Sequence, residues 1–238
     1  MTSILAIDTS TAACSLALQY RGRITSKSSA EPRSHSQLLM TMVHEVLQES
    51  ACSLSKLDAI GVTVGPGSFT GLRIGFATVQ GLAYATDIPV VPVSTLQVMV
   101  ATFLRTGDTQ HITEGAEVIA LLDARMSEYS LGRYTLGNQA EIKPLAEDQL
   151  MTQQQVLAAI SAANPQALIG EAQQLVADQP SLATLYQPIF PQAEDILPIA
   201  QTIFHQGGAV PVDSVDLVYL RGAEAWQKRK RLRPNREG

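Results

Sequence analysis

The chain has 238 residues, 45% of them hydrophobic, and a formal net charge of −5, with an isoelectric point near 5.4. That length supports two compact lobes, each with its own core, and an acidic body of this kind does not attract nucleic acid as a whole. Cys14 and Cys52 lie far apart and form no CxxC, so nothing points to a disulfide framework.

The first apolar run, residues 4–7, predicts a short strand ending at Asp8. No basic segment precedes it, and no stretch approaches the ~20 apolar residues of a membrane span, so a cytoplasmic location is expected. Residues 14–19 and 24–28 predict two more strands joined by a turn at Arg21-Gly22. Over 36–49, Leu38, Leu39, Met42, Val43, Val46 and Leu47 fall on one helical stripe. A buried strand follows over 57–64, then the loop Gly65-Pro66-Gly67-Ser68 and a helix over 69–85. A strand over 90–93 and a helix over 94–104 complete a βββαβαβα series.

The order then recurs. Strands are expected over 118–123, 129–134 and 140–143, a helix over 148–162 and a short strand over 168–169. A helix over 171–177, an extended piece over 188–190 and a helix over 195–205 close the second series. Two such series predict an α/β protein of the ASKHA plan, shared by actin and sugar kinases: two tandem ribonuclease H-like lobes, each a mixed sheet flanked by helices. The expected division is 1–105 for the first lobe and 106–213 for the second, with 214–238 a segment that returns to the first lobe and ends in a basic tail. The first strand of each series ends in aspartate, Asp8 and Asp123, which would aim both carboxylates at the cleft between lobes, although aspartate also simply starts turns.

The glycine loop can be read in two ways. Gly65, Gly67 and Ser68 stand where a strand gives way to a helix, a place where free N–H groups and the helix dipole can hold an anion. Yet there is no P-loop lysine and no GxGxxG, and local chemistry favours a tight turn. The following helix carries Gly71, Gly75 and Thr78 at helical spacing. Interior glycines cost about 1 kcal/mol each against alanine, so another backbone must come close, from within the lobe or from a second chain. The cleft loops Asp8-Thr9-Ser10 and Asp123-Ala124-Arg125 lack the paired glycine turns of a phosphotransferase. No HExxH, HxxxH or GxSxG occurs, so no metal set and no activated nucleophile is expected. The last eleven residues hold six basic groups and one acidic group, a net +5 against −10 for the remainder. Such a tail can meet RNA or an acidic partner, or remain a solvated terminus.

Taken together, several segments resemble the bacterial TsaB family, also called YeaZ. They are Ile4-Leu5-Ala6-Ile7-Asp8-Thr9-Ser10-Thr11, Ser34-His35-Ser36-Gln37 and Gly65-Pro66-Gly67-Ser68-Phe69-Thr70-Gly71-Leu72-Arg73-Ile74-Gly75. Further along come Val93-Ser94-Thr95-Leu96, Leu122-Asp123-Ala124-Arg125-Met126, Asp195-Ile196-Leu197-Pro198-Ile199-Ala200 and Val218-Tyr219-Leu220-Arg221. The resemblance implies a role in making threonylcarbamoyladenosine beside the anticodon of tRNAs that read codons starting with A. It implies that the catalyst is a paralogue, TsaD, with which the chain dimerises, that the ATPase TsaE joins the pair, and that TsaC makes the donor. The paralogue's HxxxH metal histidines fall on Thr95 and Met99 here, a weak hydroxyl and a soft thioether. A non-catalytic subunit is therefore implied, with no cofactor of its own beyond weak ATP or ADP binding. The partner surface implied is the first lobe's helices, with His35, Gln37, Leu38, Leu39, Met42, Gly71, Gly75 and Thr78 as candidates, and a homodimer through the same surface when the partner is missing. The alternatives are an ATP-dependent or metallopeptidase-like enzyme of this fold, and an RNA-binding module using the basic tail.

Overall fold

The computed structural model describes residues 2–30, 35–137, 141–177 and 179–221, with the side chains of 35–37 outside the description. In chain order the first half contains β1 (Ile4–Asp8), β2 (Cys14–Tyr20), β3 (Arg23–Ser29), α1 (His35–Glu49), β4 (Ala59–Gly65), α2 (Phe69–Thr86), β5 (Val90–Ser94) and α3 (Thr95–Thr106). The second half contains β6 (Glu117–Asp123), β7 (Glu128–Leu136), β8 (Ile142–Pro144), β9 (Gln149–Thr152), α4 (Gln153–Ala163), β10 (Ala167–Gly170), α5 (Gln173–Ala177), α6 (Pro180–Ala183), β11 (Tyr186–Gln187) and α7 (Ala193–His205).

The two sheets repeat one topology. The first runs β3-β2-β1-β4-β5, and the second β11-β10-β6-β7-β8, with β9 also paired to β7. In each, the first strand pairs antiparallel with the second and parallel with the strand after the intervening helix, β1 with β4 and β6 with β10. This is the duplicated ribonuclease H-like lobe that the order of elements implies. Two details differ from the sequence reading. Residues 149–152 form β9 rather than the start of a helix, and α4 begins after Thr152, whose side chain joins Gln155 in a capping box. A short strand not expected from the sequence, Tyr186–Gln187, precedes the extended piece at 188–190.

Alternation along β1 and β2 sorts residues by size as well as by face. Leu5, Ile7, Cys14, Leu16 and Leu18 join the core beneath α1 and α2. Ile4, Ala6 and Ala17 face the other way, against Ala193, Ile196, Leu197 and Ala200 of α7. Small residues on that face let α7 lie close: a Cβ on Gly61 would stand 2.8 Å from Ile196 Cγ2 and 3.1 Å from Ala200 Cβ. Thus α7, which follows the second sheet in the chain, covers the first. The converse holds for α3, whose Leu96, Met99, Val100 and Phe103 pack with Val118, Ala120 and Leu122 of β6. The other face of the second sheet is closed by Val156 and Ile160 of α4 and Leu175 of α5. Each half therefore lends a helix to the other's sheet.

Polar contacts tie the exchanged helices. Asp195, 4% exposed, accepts from Arg105 Nε and Nη2, both at 2.7 Å, and from Thr102 Oγ1 at 2.8 Å. Asp195 lies in the first turn of α7 and Arg105 in the last turn of α3, where each charge also suits the helix dipole. Removing Asp195 would strand Arg105 and Thr102. We expect Asp195→Ala to cost roughly 2–3 kcal/mol, the lower end for a buried pair because Arg105 stays partly hydrated; urea unfolding measures it.

A second tie joins the N-terminus of α3 to the second lobe. Half-buried Asp148 accepts from Ser94 Oγ at 2.6 Å and from the Tyr134 hydroxyl at 3.0 Å. Burial raises the Asp148 pKa, against the lowering pull of those two hydrogen bonds. The folded state therefore takes up this proton more readily than the unfolded chain. The contribution to stability is fully present below the ordinary carboxylate range and is lost as pH rises through the raised value. Urea titrations of wild type and Asp148→Asn, from neutral down to about pH 4, should show wild type gaining stability relative to the variant as pH falls.

Candidate functional site

The loops after β1 and β4 leave the carboxyl ends of parallel strands in the first sheet, and those after β6 and β10 do so in the second; open α/β sheets bind ligands at such ends, which makes the space beside them the candidate cleft. The first-lobe side of this cleft is knotted together by its glycines. Ser68 N–H donates to Ser10 carbonyl oxygen at 2.7 Å, and Thr9 Oγ1 donates to Gly71 carbonyl oxygen at 2.8 Å. A Cβ on Gly67 would strike Ser10 carbonyl oxygen, one on Gly71 Thr9 carbonyl oxygen, and one on Gly75 Thr9 Oγ1. The close backbone that these glycines require is thus the chain's own β1–β2 loop, which settles the two readings left open for Gly71 and Gly75 in favour of packing within the lobe. Ser68 caps α2 by accepting from Gly71 N–H. At least two N–H groups that an anion would need are therefore already donated to protein. Gly65 adopts φ +123°, a conformation that glycine alone takes readily.

The paired aspartates have different surroundings. Asp8, 1% exposed, turns Oδ1 onto Ser10 N–H, Ser10 Oγ at 2.6 Å and Thr63 Oγ1 at 2.7 Å, bracing its own loop. Asp123 is more open and accepts from Arg125 N–H at 2.7 Å and Arg125 Nη1 at 3.2 Å. Arg125 is 82% exposed at its side chain. Near them, burial and the Asp123 charge raise the Glu171 pKa, while Arg125 lowers it. Among the described residues no group of three His, Cys, Asp or Glu side chains is placed to hold a metal ion.

Thr95 and Met99 are both fully buried where α3 crosses between the sheets. Met99 Cε lies over Gly170, where a Cβ would strike it. His111 Nε2 meets the Gln166 carbonyl oxygen and His205 Nε2 the Thr2 hydroxyl, both as surface contacts.

The candidate partner residues divide by exposure. Leu39 and Met42 point into the first core, and Leu38 is half-buried against it. Gly71 and Gly75 are covered by Thr9, and half-buried Thr78 donates to the Ile74 carbonyl oxygen. These side chains are held by their own lobe. The side chains of His35 and Gln37, and the basic tail, lie outside the described residues. What α1 and α2 expose is a neighbouring set: Met40, Thr41 and His44 on one helix, and Arg73, Ala77, Gly81 and Tyr84 on the other. Of these, Met40 is 50% and Tyr84 63% exposed. The candidates named from sequence on these helices are thus mostly the inward-facing residues, and the exposed set lies beside them. The i, i+4 run 73, 77, 81 was the available sign.

Two duplicated lobes, a helix exchanged in each direction and a cleft at the strand ends define a protein of the ASKHA class. A family model described as TsaD, tRNA N6-adenosine threonylcarbamoyltransferase, matches residues 25–199. The tRNA threonylcarbamoyladenosine biosynthesis protein TsaB of Escherichia coli is 35% identical over 94% of this chain and 97% of its own length. The TsaB of Haemophilus influenzae is 30% identical over 95% and 96%. A solved structure described as YeaZ from Pseudomonas aeruginosa superposes with a TM-score of 0.80 at 34% identity, covering 92% of this chain and 100% of that one. Another, of an uncharacterized protein with similarity to peptidase YEAZ from Pseudomonas aeruginosa, reaches 0.83 at 36% identity over 93% and 100%. This chain belongs to the TsaB family, also called YeaZ.

The glycines of α2 supply a paired test. Gly71→Ala must displace backbone of the β1–β2 loop and is expected to cost about 2–3 kcal/mol. At Gly81 a Cβ meets nothing within 4 Å, so Gly81→Ala should stabilise by up to about 1 kcal/mol. Thermal unfolding of the two variants reads both signs.

Proposed function

We propose that this chain acts in tRNA threonylcarbamoyladenosine biosynthesis as a non-catalytic partner subunit. It pairs with a TsaD-type transferase through the exposed faces of α1 and α2, and it helps to recruit a TsaE-type ATPase. A TsaC-type enzyme makes the donor upstream, and the work takes place in the cytoplasm. The reading is carried by likeness, over nearly the whole chain, to proteins named for that biosynthesis.

Residue chemistry supports the accessory role. By the family resemblance, the transferase's metal histidines would fall on Thr95 and Met99, both of which are fully buried. Neither side chain substitutes for imidazole. In the cleft, Asp8 Oδ1 and the Ser68 N–H are engaged within the Asp8–Ser10 loop, which favours at most weak nucleotide binding. The outer face of α2 suits close helix packing, because Ala77 and Gly81 are small and exposed while Tyr84 offers an aromatic anchor. Without the transferase, the same face would pair with a second copy of the chain.

Gly81→Arg adds bulk and charge to that face without touching the lobe's own core. We expect it to weaken pairing with the transferase by about 100-fold or more at an unchanged melting temperature, as read by calorimetric titration. In reconstitution, the modified adenosine should form with all partners and fail when this chain is omitted. Transfer by this chain alone, or full pairing by Gly81→Arg, would sink the proposal.

A further inference from the structure

The segment after α7 turns back across the mouth of the cleft and touches both lobes. Residues 90 and 210 form a bridge beside β5. Val218 N–H then donates to Val64 carbonyl oxygen at 2.8 Å, and its own carbonyl lies over Gly65, where a Cβ would strike it. The Tyr219 ring stands 5.2 Å from the ring of Phe69. Its hydroxyl accepts from Arg73 Nε at 3.1 Å, and the Arg73 guanidinium sits 3.7 Å over the Phe69 ring. These contacts fix the strap to the first turn and a half of α2.

Two residues later, Arg221 grips the other lobe. Its Nη2 donates to the carbonyl oxygens of Ala124 at 3.0 Å and Arg125 at 3.2 Å, and to the Glu128 carboxylate. Its Nη1 lies 2.8 Å from Met126 Sδ. The turn so held has three successive non-glycine residues with positive φ: Arg125 at 69°, Met126 at 58° and Ser127 at 59°. A run of left-handed residues is unfavourable by itself and persists only where surroundings over-determine it. A planar guanidinium donating to two of the turn's carbonyls and to the carboxylate that follows supplies such a hold.

Geometry makes the strap a short tether. Only Tyr219 and Leu220 separate its anchor on β4, Val218, from its anchor on the second lobe, Arg221, and three extended Cα steps span at most about 11 Å. The rims cannot part far unless one anchor lets go. We propose that residues 218–221 are a latch that couples the first turn of α2 to the β6–β7 turn, so that releasing either end loosens both and lets the cleft open. The exposed face of α2 continues from the latched turn, so a molecule that draws Tyr219 off Phe69 would be felt at Asp123–Glu128, and by linkage the reverse holds. The inference does not depend on what that molecule is, and it stands or falls separately from the partner reading above.

Hydrogen exchange on the full chain, read by mass spectrometry, tests the latch with Tyr219→Ala and Arg221→Ala. Each variant is expected to speed exchange about tenfold, the scale of one or two lost hydrogen bonds, in both 65–73 and 124–128, while β1 and β6 keep wild-type protection. Arg221→Lys, which keeps the charge and loses the fork, should fall between. Faster exchange confined to the mutated end would overturn the coupling. A uniform rise through both sheets would also overturn it, because the segment would then be a part of the global fold and not a latch.

Discussion

The Arg105–Asp195 pair joins two helices that each cap the sheet of the other half, and that exchange governs the rest of the molecule. Without α7, the face carrying Ile4, Ala6 and Ala17 has no cover. Without α3, the face carrying Val118, Ala120 and Leu122 has none. Burying such faces is the dominant favourable term in folding, so neither half completes its core alone. The ion pair fixes where the two helices cross. Thr102 and Gln192 take up further capacity at the same point, as a buried charge requires.

The same constraint shapes the cleft. Because α3 runs between the sheets, its Leu96, Met99 and Phe103 fill the space beneath it with core. The glycines of α2 serve a related end. They let the β1–β2 loop sit directly on the helix, so Thr9 and the Oδ1 atom of Asp8 become parts of a joint. The side chains left exposed on α1 and α2, Met40 and Tyr84 among them, and Tyr219 on the returning segment lie outside that joint.

Much of this was legible in the sequence. The period of two in β1 and β2, the stripe on α1 and the glycine loop between β4 and α2 all have local causes, and the repeated order of elements gave the duplicated lobes. The partners of each face were not legible. A helical stripe such as Ile196, Leu197 and Ala200 says that it is buried and does not say which sheet buries it. The small residues Ala6, Ala17 and Gly61 were the hint, since a sheet face so cut back awaits a closely seated helix. Strand β9 was missed because Leu150 and Met151 fit a helical run as well as a strand; the Thr152–Gln155 capping box marked the true start of α4. Arg221 was seen as part of a shared segment and given no role, because its partners Ala124 and Glu128 lie nearly a hundred residues away.

The two thiols divide sharply in access. Cys14 is fully enclosed beside Met42, and burial together with the Asp8 charge pushes its pKa up. Cys52 is only half-buried in the turn after α1, where burial raises its pKa and Arg21 and Lys56 pull it back. Thiolate is the form that alkylates. A maleimide dye will therefore report from Cys52, which makes the unaltered protein a ready carrier for one fluorophore on the lobe that bears the exposed helices.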